Sequence, residues 1–351
     1  MATENDPRRR LLEAIAWNVD RLINLDISGY GVIGELYRAA CDHYGGPLTL
    51  KAAERLRAEL TPGAHFIVTS GWLMPGFYPY GETDGPVGAA TLGRALALGL
   101  GARMLVVTEA EMAPIVTATC RAAGLNVMTE ASLAAAPRPP HPGNPYCVVL
   151  PFPIGEAEGR QEALRIFERY TPKAVLAIEK NGPNAEGRYC MVDGSDNSDC
   201  VIKAGLLFEE AARRGIFTVG IGDRGNEIGF GAIAGVPRRL LPHGPAATDA
   251  TVVDLLITAA VSNWGASGIA AVLAVLLARP ELMHDTATES RMLEACIAAG
   301  GVDGFSCRPI PVTDGMPAEA HVAVAALLNT LARAPAATQP SIFATPLIDL
   351  A

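Results

Sequence analysis

The sequence predicts an α/β protein with a doubly wound, mainly parallel sheet (Rossmann-like) and helical N- and C-terminal extensions. Three observations point there. Short apolar runs rich in β-branched residues alternate with helix-length patterns from His65 to Gly222, as in successive βαβ units. Half the residues are hydrophobic but only 6% are aromatic, the Ala/Leu/Val-rich composition of helices packed on a sheet. Several of the apolar runs end in polar, glycine-rich segments, and open α/β sheets place their ligands beyond the carboxyl ends of strands. We expect one domain over residues 1–351, with a helical lead-in at 1–60, an α/β core at 65–275, a helical part at 276–334 and a loosely ordered tail at 335–351.

Taken in order, Leu11, Leu12, Ile15, Val19, Leu22 and Ile23 keep helical spacing between Arg9 and Leu25. A glycine-rich turn at Gly29–Gly34 precedes helices over Glu35–His43 and Leu48–Leu60. This lead-in either covers a sheet edge or forms a subunit contact in a homo-oligomer. The first strand is His65–Ser70. A long loop then reaches Glu82-Thr83-Asp84-Gly85, where Asp84 stands as an N-cap and Pro86 in the first turn of a helix running to Gly99. Strand Met104–Thr108, helix Glu111–Gly124 and strand Leu125–Thr129 follow, then a proline-rich connector, Ala136–Pro145. Strand Cys147–Leu150, helix Glu156–Tyr170 and strand Ala174–Ile178 lead to the polar stretch Glu179–Asp199. Helix Cys200–Arg214 leads into a strand from Phe217. A helix is expected to start near Thr248, with Ser262–Gly268 interrupting it or joining it to the next. Leu282–Ala334 reads as helices around a polar loop at Asp303–Asp314.

A chain of 351 residues can bury a large core. Its formal net charge of -9 argues against non-specific nucleic-acid binding, which needs a basic footprint. Seven cysteines without a C-x-x-C pair suggest reduced thiols in a cytoplasmic protein. The N-terminus has no apolar segment behind its charges, so no signal peptide is expected, and no apolar run is long enough for a membrane span.

The stretch Phe217–Gly231 holds the densest set of candidate site residues. A buried-strand pattern breaks there into glycines that carry Asp223, Asn226 and Glu227 between them, and glycine allows backbone angles closed to other residues. Gly220-x-Gly222-x-x-Gly225 has the spacing of a dinucleotide loop, but acids inside and beside it would repel a pyrophosphate. Asp84 taken alone reads as a helix cap. Together with Glu179–Asp199, Asp223–Gly231 and Ser262–Gly268, its segment converges on one edge of the sheet and reads as a site. The six histidines show no paired metal spacing. Asp193, Asp196 and Asp199 lack the closing Glu of a calcium loop, although oxygen-rich clusters of this kind can hold Mg²⁺ or Mn²⁺ loosely.

Four motifs occur in order: Glu82-Thr-Asp-Gly-Pro-x-Gly-Ala-Ala, Ile178-Glu-Lys-x-Gly with a following Gly-Arg-Tyr, Gly220-Ile-Gly-Asp-x-Gly-Asn-Glu-Ile-Gly-Phe-Gly, and Ser262-Asn-Trp-Gly-Ala. From Phe66 to about Gly268 the chain resembles the D-glutamate cyclase family, in its bacterial stand-alone form, which is similar to the C-terminal domain of the mitochondrial enzyme. The resemblance implies a carbon–oxygen lyase (hydro-lyase) that dehydrates D-glutamate, or a close analogue, to 5-oxo-D-proline. The expected partner is a small amino-acid substrate, with no nucleic acid or membrane; no cofactor is assigned, Mn²⁺ or Mg²⁺ staying open.

Lactam formation needs a base for the amine and an acid for the departing oxygen. Asp223 or Glu227 is expected to take the amine proton, with Asp84 or Glu82 as partner. Asn226 and the loop N–H groups would stabilise the oxyanion. Lys180 and Arg188 are candidates to hold a substrate carboxylate. Thr83, Gly85, Glu179, Asp196, Gly225 and Asn263 complete the expected binding set. The chain departs from the family pattern at Asp193, where a basic residue is usual nearby, and at Arg224, where glycine is more frequent. Two other readings stay open at this point: a hydrolase of a related lactam or small amide on the same fold, and a non-catalytic nucleotide- or metabolite-binding module.

Overall fold

Seven apolar runs form one parallel sheet in the computed structural model, which describes residues 6–135 and 144–334. The strands are β1 (His65–Ser70), β2 (Arg103–Thr108), β3 (Asn126–Met128), β4 (Tyr146–Pro151), β5 (Ala174–Ile178), β6 (Phe217–Gly222) and β7 (Leu255–Thr258). Their spatial order is β3-β4-β2-β1-β5-β6-β7. Both faces are covered, so the strands bury side chains in both directions. Phe66 and Val68 of β1 enter one core while Ile67 enters the other, and Leu176 of β5 opposes Val175 and Ala177 in the same way. Most of the expected connector and all of the expected tail lie outside the described residues.

The helices sort by face. Helices α1 (Pro7–Ile23), α2 (Ile33–Tyr44) and α3 (Leu48–Glu59) precede the sheet, and α4 (Pro86–Leu100), α5 (Ala113–Ala122), α6 (Glu130–Ala135), α7 (Glu156–Tyr170) and α8 (Gly205–Arg214) lie between its strands. Short helices α9 (Gly235–Leu240) and α10 (Gly244–Ala247) follow β6, and α11 (Ser262–Leu276), α12 (Thr286–Ala298) and α13 (Ala318–Arg333) follow β7. Apolar residues of α4, α5 and α11 enter one core, and those of α7 and α8 enter the other. From β1 the chain winds to β2 on one side and, through β5, to β6 and β7 on the other. The order reverses between β1 and β5, and their carboxyl ends form the crevice where such sheets bind ligands.

The helical lead-in covers the β7 edge of the sheet. The Ala260 N–H donates to Ile23 O at 2.7 Å, and the Tyr44 hydroxyl donates to Val253 O at 3.1 Å. Asp20 of α1 is buried and accepts the Leu48 and Thr49 N–H groups at 2.6 and 3.2 Å, which caps α3 from a neighbouring helix. No helix among the described residues is long and apolar enough to cross a membrane.

Two expectations are corrected. Residues after Thr248 do not begin a long helix; β7 occupies Leu255–Thr258, and Ser262 opens α11 rather than interrupting a helix. The Thr218 N–H and hydroxyl bond Asp254 Oδ2 at 2.8 and 2.9 Å, which fixes the start of β7 against β6. Helix α8 starts at Gly205 instead of Cys200, because Ile202 gives its N–H to Glu109 Oε1 at 3.1 Å.

The glycines at the end of β6 serve the protein's own packing. A Cβ at Gly220 would strike the Ile228 carbonyl, and one at Gly222 would meet the Phe230 ring and Glu227. We expect Gly220→Ala to destabilise the protein by about 1–3 kcal/mol, as overpacking does, measured as a lower urea midpoint.

Candidate active site

Beyond the carboxyl ends of β1, β5, β6 and β7 the chain gathers buried carboxylates. Asp84 sits at the end of the long loop after β1 and is fully buried. It does not cap its own helix alone. Its Oδ1 accepts the Gly85 and Asn263 N–H groups at 2.9 and 2.8 Å, and its Oδ2 accepts the Ser262 N–H at 2.9 Å. Asn263 replies from the start of α11. Its Oδ1 accepts from Gly85 and Gly88 N–H at 2.9 and 2.6 Å, and its Nδ2 donates to Thr83 O at 3.1 Å. Each helix start is thus capped by a side chain from the other, which satisfies donors that a helix cannot satisfy itself. Gly88 is needed at this crossing, since a Cβ there would press on the Asn263 backbone.

Glu179 follows β5 in the left-handed region, at φ 48°, an uncommon conformation for a non-glycine residue. Its Oε2 accepts the Ser262 hydroxyl at 2.6 Å. In the loop after β6, Glu227 accepts the Arg224 and Gly225 N–H groups at 3.1 and 2.7 Å. Those are the donors a bound pyrophosphate would require, so the loop's anion-binding capacity is spent internally. The same bonds remove these N–H groups from the expected oxyanion role. Asp223 differs from its neighbours: both carboxylate oxygens are buried and neither has a hydrogen-bond partner.

A cavity of about 290 Å³ opens onto this cluster, lined by Glu82, Glu179, Asn226, Trp72 and Tyr78, and by Tyr30, Met191, Val192, Arg224, Gly304, Phe305 and Asp314. The last group includes residues that the sequence reading left out. Asp314 and Gly315, at φ 55° and 73°, form the tight turn between β8 (Val312–Thr313) and β9 (Met316–Pro317). Both central residues of such a hairpin turn need positive φ, which Asp-Gly supplies. Asp303 organises the loop, its Oδ1 accepting from Gly315 N–H at 2.9 Å and its Oδ2 from Ser306 N–H at 2.8 Å. The Arg224 guanidinium lies over the rings of Tyr30 and Phe305, 5.3 and 4.6 Å from their centroids. It contacts Asp223 and Asp314 at 3.3 and 3.2 Å.

The structure brings together Glu82, Thr83, Asp84, Gly85, Glu179, Asp223, Gly225, Asn226, Glu227 and Asn263 from the sequence-read set. Three residues stand apart. Lys180 is sealed in a fully buried ion pair with Glu109, its Nζ at 2.6 and 2.7 Å from the two carboxylate oxygens and 3.0 Å from Gly71 O. It therefore ties the ends of β1, β2 and β5 together beneath the site and does not line the cavity. Arg188 pairs with Glu186 on the surface, and Asp196 is exposed and accepts the Ser198 N–H. The cation facing the cavity is Arg224. Glu109, Arg224, Asp303 and Asp314 are the functional candidates missed. The Asp-Gly pairs at 303–304 and 314–315 repeat the Asp84-Gly85 pattern and are the signal that could have drawn attention to the C-terminal loop.

The family of sequences described as D-glutamate cyclase-like, C-terminal, matches residues 19–329 of this chain. The chain belongs to this D-glutamate cyclase-like family. The mitochondrial D-glutamate cyclase of Homo sapiens is 29% identical over 202 residues, which is 56% of this chain and 30% of the human protein. The chain thus matches less than a third of that relative's length.

In this member of the family, burial pushes the carboxyls of Glu82, Asp84, Glu179 and Asp223 well above the ordinary range, and neighbouring carboxylates add to the shift. Arg224 opposes it for Asp223, and the Ser262, Asn263 and Gly85 N–H groups oppose it for Asp84. Burial disfavours the charge of Arg224, but Asp223, Asp314, Glu179 and Glu227 outweigh burial and hold it raised. Two triads, Asp84–Asp223–Asp314 and Glu179–Asp223–Glu227, each bring carboxylate oxygens within 4.8 Å of one another. They share Asp223, whose unpartnered oxygens suit a hard cation such as Mg²⁺ or Mn²⁺.

Two outcomes follow. Below about pH 4 an unfolded carboxyl is protonated as the folded ones are. As pH rises from there the unfolded chain releases protons first, so these raised groups progressively lower stability. Asp223→Asn should therefore gain melting temperature relative to the parent between pH 5 and pH 8, by an amount that grows with pH. A pH-independent difference would remove Asp223 from the coupled cluster. Lys180→Met should cost about 3–5 kcal/mol by stranding Glu109, and Glu109→Gln added to it should restore part of that loss in urea titrations.

Proposed function

We propose that this protein is a carbon–oxygen lyase of the D-glutamate cyclase type, converting D-glutamate or a close analogue to 5-oxo-D-proline and water. Beside the family membership, the observation that carries this reading is Asp223, a buried carboxylate with no hydrogen-bond partner that lies 3.3 Å from the cavity-lining Arg224 guanidinium. With the Arg224 contact alone, the buried Asp223 carboxylate is short of donors, which is costly, and a substrate ammonium would relieve that cost.

In the proposed mechanism Asp223, in the ionised form that the adjoining Arg224 guanidinium favours, takes one proton from the α-ammonium, because Glu227 has both oxygens engaged by backbone N–H groups. The freed amine attacks the γ-carboxyl carbon, forming the C–N bond. Asn226 and the unpartnered Trp72 indole N–H, both at the cavity wall, are the donors for the developing oxyanion. One γ-oxygen then leaves as water as its C–O bond breaks. It receives one proton from Glu82 or Asp84, whose raised carboxyls retain protons, and one from the nitrogen. The proton first held by Asp223 restores the acid, so protons balance and no atom changes oxidation state. A divalent cation bound at Asp223 would supply Lewis-acid polarisation of the γ-carboxyl.

The test is incubation with D-glutamate and, separately, with 5-oxo-D-proline and related lactams, with and without Mn²⁺ or Mg²⁺, followed by NMR. Lactam should form from D-glutamate, and Asp223→Asn should lower kcat by about 10²–10⁴-fold, the usual effect of removing a general base. If folded Asp223→Asn and Glu227→Gln proteins both kept full turnover, the mechanism would be wrong. Turnover confined to the lactams would favour the hydrolase reading.

A further inference from the structure

We propose that Arg224 is the specificity-determining residue of this cavity: it reads the carboxylate on the same carbon as the substrate amine. The inference rests on the cyclase reading and adds the group that decides which acids are admitted. Arg224 is the one cation among the described lining residues, where every other charged group is an acid: Glu82, Glu179 and Asp314. A substrate carboxylate entering anywhere else on this lining would find no cationic partner.

The guanidinium is prepared for such a contact. Its central carbon lies 5.3 and 4.6 Å from the ring centroids of Tyr30 and Phe305, which line the cavity and stack on one another with centroids 5.9 Å apart. Both ion pairs, to Asp223 and Asp314, run through Nη2. Hydrogen bonds to a guanidinium lie in its plane, and with both ion pairs on Nη2 the Nε and Nη1 side of the fork is left for a two-pronged carboxylate contact. The side chain keeps 17% exposure, enough for its edge to reach the cavity.

Chain adjacency strengthens the assignment. Asp223, placed to receive the ammonium, and Arg224 are consecutive residues whose charged groups lie 3.3 Å apart. An α-amino acid carries its ammonium and carboxylate on one carbon, so a pair of adjoining opposite charges matches that end of the molecule. The γ-carboxyl is then left to the acids and to Asn226. Acids lacking the α-carboxylate, or carrying it as an amide, should be poor ligands.

The experiment compares D-glutamate with its α-carboxamide, D-isoglutamine, by calorimetry on the full chain, on Arg224→Gln and on Arg224→Lys, with folding checked by circular dichroism. The parent protein should favour D-glutamate by about tenfold or more, the scale of a charge-assisted hydrogen bond. In Arg224→Gln the preference should fall to near unity, and in Arg224→Lys it should shrink because the fork is lost. Should the glutamine variant fail to fold, the lysine variant decides. Undiminished preference in the folded variants, or no preference in the parent, overturns the inference. A parent that binds D-glutamate with this preference yet forms no lactam overturns the cyclase reading and leaves the assignment of Arg224 standing.

Discussion

Negative charge concentrated out of water is the constraint around which this structure is arranged. Glu82, Asp84, Glu179, Asp223, Glu227 and Asp314 all lie buried at one edge of the sheet, with Arg224 as the cation in their midst. A fold can tolerate such a cluster only by giving most of its members fixed donors. Asp84 receives three backbone N–H groups, Glu227 receives two, and Glu179 receives the Ser262 hydroxyl. Asp223 receives none. The distribution leaves Asp223 with the Arg224 contact alone and so open to an incoming positive charge, while burial above all raises the carboxyls of Glu82, Asp84, Glu179 and Asp223.

The helix starts explain how those donors are aimed. Asp84 and Asn263 come from segments far apart in sequence, and each satisfies the opening turn of the other's helix. A side chain that caps α11 is thereby fixed relative to α4, and both are fixed relative to the sheet by the Lys180–Glu109 pair beneath. The glycines that resemble a dinucleotide loop have a related purpose. They let Ile228 and Phe230 fold back over β6 and bring Glu227 onto the loop's own N–H groups.

The strand–helix alternation was readable because period and length separate the two element types over most of the core. β7 escaped notice because Leu255–Thr258 is four residues long and sits in a mostly apolar stretch from Val252 to Val261 that suits a helix as well as a strand. The site was legible where glycine, acid and amide sit together in one segment, as at Asp84, Asp223 and Asn263. It was not legible where a residue's meaning depends on a distant partner. Lys180 reads as a free cation until Glu109 is seen beside it, and Arg224 reads as an irregularity until Tyr30, Phe305 and Asp314 surround it. The Asp303–Asp314 stretch was visible as a polar loop, but nothing in the local pattern says that Asp314 shares a cavity with Glu82.

The Asp314-Gly315 hairpin also sets an order of events during synthesis. All seven strands of the large sheet are present once Thr258 has emerged, yet the wall that carries Phe305 and Asp314 comes more than forty residues later. A nascent chain can pair its strands while the acid cluster still faces water on that side. Strand pairing need not wait for the burial of these carboxylates, since Phe305 and Asp314, which complete the cavity wall, follow the last strand in the chain.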